Sequence, residues 1–251
     1  MLKVWAMEPP RASMLYWLHY FVSIRMQENK LLIPLSLIVA GLLIGGAIFF
    51  KGNSAPAGTD TTTDPKEINV APLSADDHVL GNPNAPVTII EFSDIDCPFC
   101  KTFDATMRQI MAEYGTDGKV SWVYRHFPLD SLHPNARTKA ESTECVAKLG
   151  GNEAFWKYLG FLFERDETVA DLGGIATEVG VDQTAFKTCL DGKQYAKNVA
   201  DDSDAALEAG AGGTPYTVII APNGEKAVVN GAQPYAVVKQ VIETALLQTA
   251  N

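Results

Sequence analysis

Cys97 and Cys100 stand at the ends of Cys-Pro-Phe-Cys within Asp94-Ile95-Asp96-Cys97-Pro98-Phe99-Cys100-Lys101, where a β-branched apolar run gives way to a helical pattern. A thiolate at a helix N-terminus is stabilised by unpaired backbone N–H groups and the positive end of the helix dipole. These lower its pKa from about 8.5 to between about 3.5 and 7.5. A second thiol one turn along can close a disulfide with it, so the spacing suits a redox-active dithiol. The same spacing serves zinc sites. Zinc would need two more ligands, and Cys145 and Cys189 are single cysteines on predicted helices without a second close pair. A buried structural pair without chemistry is a third reading. Redox chemistry is the reading favoured, with no metal and no cofactor expected.

The elements that must position this pair follow from periodicity. Residues 87–92 are β-branched and aromatic, as a buried strand should be. Phe99, Phe103, Met107, Ile110, Met111 and Tyr114 recur at three- and four-residue intervals, marking a helix face that ends near Gly115. Residues 119–127 form a second strand, consistent with a βαβ unit. A long helical stretch follows: Phe155, Leu159, Leu162 and Phe163 make one stripe, Val169, Leu172, Ile175, Ala176 and Val179 another, and Asp182 is placed to cap a short helix. Strand character returns at 216–220, a turn at 222–225 leads to a strand at 226–230, and Pro234 opens a last helix.

Cys145 lies in a predicted helix and Cys189 on an apolar face beside Phe186, so both fall in the helical stretch. They are expected to pair as a structural disulfide, worth about 4 kcal/mol in the chain-entropy account. Two buried free thiols are the alternative.

The order of strand, Cys-Pro-Phe-Cys, amphipathic helix, strand, helical insertion, Gly213-Thr214-Pro215, hairpin and final helix resembles a DsbA-type thiol-disulfide oxidoreductase over roughly residues 77–247. The resemblance implies an α/β thioredoxin fold at 77–249 with a helical insertion at about 131–210. It implies Cys97 as the exposed attacking thiol and Cys100 as the buried resolving thiol. Thr214 and Pro215 would form a cis-proline loop beside the cysteines, binding substrate peptide together with Pro98 and Phe99. A cis bond is essentially confined to X-Pro, and such a loop can present backbone groups to a partner strand. Glu91 matches an acidic position that assists proton transfer at the buried cysteine, a role that a burial-raised pKa would suit; a solvated strand-end carboxylate is the plainer alternative.

The chain departs from the best-known member of that family in having Phe99 where a histidine would stabilise the thiolate. Asp94 and Asp96 also oppose it; at ~7 Å in water each would cost about 0.6 kcal/mol, or roughly 0.4 pKa unit. That is less than the helix terminus can supply, so Cys97 is expected to remain reactive, though less oxidising.

Residues 31–50 carry no charge over twenty positions, enough to cross a hydrocarbon core of about 30 Å. Lys3, Arg11, Arg25 and Lys30 precede this stretch, while Lys51 and Lys66 mix with Asp60, Asp64 and Glu67 after it. That bias makes 1–30 a cytoplasmic segment and 31–50 an N-terminal transmembrane helix, with everything beyond exported on the extracytoplasmic, periplasmic side of the cell membrane. A cleaved signal peptide ending near Ala55-Pro56-Ala57 is the alternative. The aromatic patch at 14–22 is too short to span, and Met26 is a second candidate start. Residues 51–76, rich in Gly, Ser, Thr, Pro and Asp, read as a flexible linker.

The 251-residue chain has a formal net charge of -10, which excludes the basic footprint that nucleic-acid binding needs. Four cysteines in an exported domain fit two oxidised pairs. The function expected is a membrane-tethered thiol-disulfide oxidoreductase that introduces disulfides into exported proteins bearing cysteines. A quinone-linked membrane oxidase or a membrane reductant would be its redox partner. A disulfide isomerase or reductase using the same dithiol is the nearest alternative, though the linker leaves no room for the dimerisation domain of dedicated isomerases. A peptide-binding chaperone is the alternative from another class.

Overall fold

Alternation along the strands assigns each side chain to one of two cores. A computed structural model describes residues 68–165 and 168–249. The predicted segment 1–30, the span 31–50 and linker residues 51–67 lie outside the described residues. Among the described residues no helix is long and apolar enough to cross a membrane.

The strands are β1 (His78–Gly81), β2 (Val87–Ser93), β3 (Val120–His126), β4 (Tyr216–Ile220) and β5 (Lys226–Asn230), in the spatial order β1-β3-β2-β4-β5. Only the β2–β3 pair is parallel, joined through α1 (Pro98–Ile110) and a π-helical turn, Met111–Gly115. The insertion runs as α2 (Ala136–Glu164), a 3-10 turn (Val169–Asp171), α3 (Leu172–Glu178), α4 (Gln183–Asp191) and α5 (Ala196–Glu208). The last helix is α6 (Tyr235–Leu246). Gly151, at φ 79°, breaks α2 into two helical runs, a backbone conformation that favours glycine. Asp182 caps α4 by accepting a hydrogen bond from the Ala185 amide at 2.8 Å. At the β4–β5 hairpin Gly224 adopts φ 85° and its N–H donates to the Ala221 carbonyl.

Val87, Ile89, Trp122, Tyr124 and Ile219 point to one side of the sheet, where α1, α2, α3, α4 and α6 pack through residues such as Phe103, Phe155, Leu172, Phe186 and Ile242. Ile90, Phe92, Val123, Tyr216 and Val218 point to the other, against Ala206 of α5 and Val70 of the segment before β1. By this alternation Glu91 and Ser93 belong to the α1 side.

β1, for which the sequence shows no periodic signal, is four residues long and pairs along the free edge of β3. It is tied into the fold by His78, whose Nε2 lies 2.8 Å from Glu144 of α2; His126 of β3 meets the same carboxylate at 3.0 Å. The linker was expected to run to residue 76, but its last part is packed. Val70 is buried, and the buried Arg125 donates to the Ala71 and Pro72 carbonyls and forks onto Asp77 at 2.8 and 3.0 Å. A composition rich in small polar residues gave no hint of that anchor.

Candidate functional site

The site lies where β2 ends. Asp94 closes the turn, the Cys97 amide donating to its carbonyl at 3.1 Å and the Asp96 amide to its side chain at 2.8 Å. Cys97 is then the N-cap of α1, with extended backbone angles and no capping side chain, and Pro98 occupies the first helical turn, where its missing N–H costs nothing. Cys100 follows one turn inside the helix, completely buried, and the Asp94 amide points at its Sγ from 3.4 Å. Both cysteines are free thiols.

The two sulfurs meet opposite environments. The Cys97 thiol is lowered to about 5, chiefly by its interaction with Cys100, with Thr214 and the backbone amides of Cys100 and Phe99 adding to the effect against the cost of burial. Burial pushes the Cys100 thiol far up, and Cys97 and the Glu91 charge push it further. One thiol is poised as a nucleophile and leaving group at neutral pH, and the other holds its proton.

Cys97 was expected to be exposed; the residue is 4% exposed. The Gly213-Thr214-Pro215 loop closes over it, with the Cys97 Sγ 3.7 Å from the Thr214 carbonyl. The Thr214-Pro215 peptide is cis, and the Pro215 carbonyl accepts from the Gly231 amide, which pins the loop to the end of β5. Phe99 is 65% exposed and Pro98 is also exposed, so the dipeptide faces solvent beside the thiol.

Glu91 is not a solvated strand-end carboxylate. It is buried on the α1 side of β2, between its register partners Tyr124 of β3 and Thr217 of β4. Burial raises its pKa to about 8, with Ser93 and Trp122 offsetting part of the rise and Asp104 adding to it. A carboxyl that is mostly protonated at neutral pH thus lies within electrostatic reach of the sulfur that needs a proton.

The expected opposition from Asp94 and Asp96 is also corrected. Asp94, with a fully buried side chain, accepts from the Leu129 amide at 2.7 Å and from His133 Nδ1 at 2.9 Å. Asp96 is paired with Lys139 of α2 at 2.5 Å. Both carboxylates are neutralised by the segment after β3, so neither acts on Cys97 as an isolated charge. Sequence reasoning missed His133 and Lys139. The available signal was topological: the loops after two parallel neighbouring strands leave the same edge of the sheet, so residues 127–135 must pass beside 94–97.

Cys145 of α2 and Cys189 of α4 are joined by a disulfide, with Cα atoms 5.9 Å apart. It lies in the α1-side core, on elements that do not carry Cys97 or Cys100. Among the described residues no group of three or more His, Cys, Asp or Glu side chains is arranged to hold a metal ion.

Comparison with known proteins agrees with this geometry. A family model described as thioredoxin matches residues 73–244. The structure of BdbD from Bacillus subtilis, in its oxidised form, superposes with a TM-score of 0.61 at 27% identity, covering 69% of this chain and 94% of that one. DsbA2 of Pseudomonas aeruginosa superposes with a TM-score of 0.58 at 25% identity, covering 71% of this chain and all of that one. Among curated proteins, a Na(+)/H(+) antiporter NhaA 3 of Salinispora tropica is 34% identical over 149 residues, 58% of this chain. That match spans 22% of the antiporter's length, so it concerns one part of a much longer protein.

Proposed function

The chain belongs to the thioredoxin family, with a thioredoxin-like α/β fold carrying a helical insertion, and from that premise we propose that it is an exported, membrane-tethered enzyme that introduces disulfides into proteins. It is a protein thiol-disulfide oxidoreductase, as its structural neighbours are. The observation that carries the oxidising direction is the asymmetry of the pair: a Cys97 thiol lowered to about 5 beside a Cys100 thiol raised by burial. Stabilising the thiolate of the reduced form makes the corresponding disulfide a stronger oxidant.

In this reading the resting enzyme holds a Cys97–Cys100 disulfide. A substrate thiolate attacks the Cys97 Sγ, forming a mixed disulfide and expelling Cys100, which takes a proton from the Glu91 carboxyl. A second substrate thiolate attacks the substrate sulfur of that mixed disulfide and expels Cys97 as a thiolate. The substrate has lost two electrons and two protons. One proton replenishes Glu91, the other goes to solvent, and the two electrons leave the dithiol for an external acceptor. A quinone-linked membrane oxidase has the right chemistry for that acceptor, with the apolar stretch at 31–50 holding the domain near it on the extracytoplasmic side. Phe99 and the Thr214-Pro215 loop flank Cys97 and would seat an extended peptide through side-chain and backbone contacts.

The test is to mix the oxidised protein with a reduced two-cysteine peptide and then to equilibrate it with glutathione. The expected result is stoichiometric peptide oxidation and a potential nearer about -120 mV than about -270 mV. Peptide oxidation by Cys97→Ser at the wild-type rate would overturn the enzymatic reading. A potential near the lower value would overturn the oxidising direction and favour a reductase or isomerase. Protease added to intact spheroplasts should digest the domain, and protection would overturn the export reading.

A further inference from the structure

The dipeptide between the cysteines carries no charge, and the partner of Asp94, a carboxylate of the active-site turn, comes from the loop after β3. Asp94 is built into that turn: its amide faces the Cys100 Sγ, its carbonyl accepts the Cys97 amide and one carboxylate oxygen accepts the Asp96 amide. Its other oxygen accepts from the Leu129 amide and from His133 Nδ1 at 2.9 Å. A carboxylate can only accept, so Nδ1 carries the proton, the ring is held in one orientation, and Nε2 is the nitrogen that titrates. His133 is also only partly buried, with 20% of its side chain exposed, so solvent protons reach it. Lys139 is committed to Asp96.

We propose that His133 is a positioning residue for the redox reaction, cancelling the Asp94 charge beside Cys97 and thereby setting how oxidising the pair is. This rests on the oxidoreductase reading. The groups whose charges act on the imidazole include Asp94 and Asp96 from the turn and Cys97 from the start of α1, while Asp130 and Arg137 on either side of it in sequence are paired with each other. Burial lowers the imidazole pKa, and the Asp94 hydrogen bond with the charges of Asp94, Cys97 and Asp96 more than reverses that, so the ring stays cationic above its ordinary range. When His133 is protonated the turn carries a neutral pair. When it loses its proton the Asp94 charge acts on the Cys97 thiolate uncompensated.

Glutathione equilibria and thiolate absorbance of wild type, His133→Gln and His133→Lys at several pH values from about 6 to 9 test this. At about pH 6 the Gln variant should shift toward the disulfide form by about threefold to tenfold, the effect of one unbalanced charge at this range. The ratio to wild type should shrink toward one as the wild-type imidazole deprotonates with rising pH. His133→Lys, which restores charge without the ring, should recover the wild-type value at about pH 6 and hold it to about pH 9. A folded Gln variant with the wild-type equilibrium at about pH 6 overturns the proposal, as does a shift equal at every pH that Lys does not rescue. If the Gln variant does not fold, the Lys variant decides: the proposal stands if its ratio to wild type changes with pH and falls if the ratio is flat. Failure of the wild type itself to exchange with glutathione would instead sink the oxidoreductase reading.

Discussion

Cys97 and Cys100 are separated by two residues at the start of one helix and are free, whereas Cys145 and Cys189 lie 44 residues apart on two helices and are joined. Exposure does not distinguish them, since Cys97 and Cys189 are each 4% exposed. The surroundings do. Cys189 sits among apolar neighbours including Phe186. Cys97 and Cys100 sit among backbone amides, the Thr214 side chain and the carboxyl of Glu91, groups that stabilise a thiolate at one sulfur and a proton at the other. A cysteine pair becomes reactive when the protein makes its two sulfurs chemically different, and it stays structural when neither is given a means to ionise.

The largest contrast should come from removing the attacking sulfur of the first pair and both sulfurs of the second. Cys97→Ser should abolish peptide oxidation, while a Cys145→Ser, Cys189→Ser double variant should keep the rate within about threefold below its unfolding transition. Wild-type exchange by Cys97→Ser, or loss of exchange in a folded second-pair variant, would erase the distinction. Labelling gives the same contrast in the reduced wild type. Iodoacetamide at about pH 6 should modify Cys97 and spare Cys100, because the first thiol titrates at about 5 and the second is pushed up by burial. Labelling of Cys97 should fade as pH falls through that value, which peptide mass spectrometry reads directly.

The second-pair double variant should lose about 4 kcal/mol of stability in urea, the loop-closure entropy of a ring of that size. Glu91→Gln should act in the opposite sense. Its carboxyl ionises at about 8 in the fold against 4.5 as the ordinary value. Between those pH values the unfolded chain gives up a proton that the folded one keeps, so stability is fully present below the lower value and declines until the upper one. At neutral pH the amide should therefore stabilise the fold by on the order of 3 kcal/mol, an advantage that vanishes below about pH 4.5. The same variant should slow the step in which Cys100 leaves, so the fold gains while exchange loses. A Gln variant destabilised at neutral pH would show that the buried carboxyl is held by bonds rather than suffered for function.

Legibility in the sequence followed the range of the forces involved. β2, α1 and β3 were readable because their apolar periods are local, and the order of motifs pointed to the thioredoxin-like arrangement with its insertion. β1 was not, because four residues with a glycine carry no period, and what holds it is His78 meeting Glu144, 66 residues away. The site divides the same way. Cys97, Cys100 and the Thr214-Pro215 loop announce themselves by residue type, whereas His133 and Lys139 matter through partners 39 and 43 residues distant. Asp94 and Asp96 were visible as charges and misjudged as isolated ones, because their neutralisation depends on which loop the parallel β2–β3 pairing brings alongside.

The smallest effect should arise at Phe99, and it sharpens the comparison from the substrate's side. The second pair has its aromatic neighbour, Phe186, buried in the core, whereas the first pair presents Phe99 to solvent at 65% exposure. An exposed side chain adds little to the fold, so Phe99→Ala should leave stability within about 0.5 kcal/mol. If Phe99 contributes apolar contact to a bound peptide, the variant should raise KM for peptide oxidation about threefold to tenfold, the worth of one partly desolvated side chain, with kcat unchanged. Its equilibrium with glutathione, a substrate too small to need that surface, should stay at the wild-type value. A shift in that equilibrium instead of KM would place Phe99 with the groups that make the sulfurs unequal, and the recognition surface would have to be sought elsewhere around Thr214.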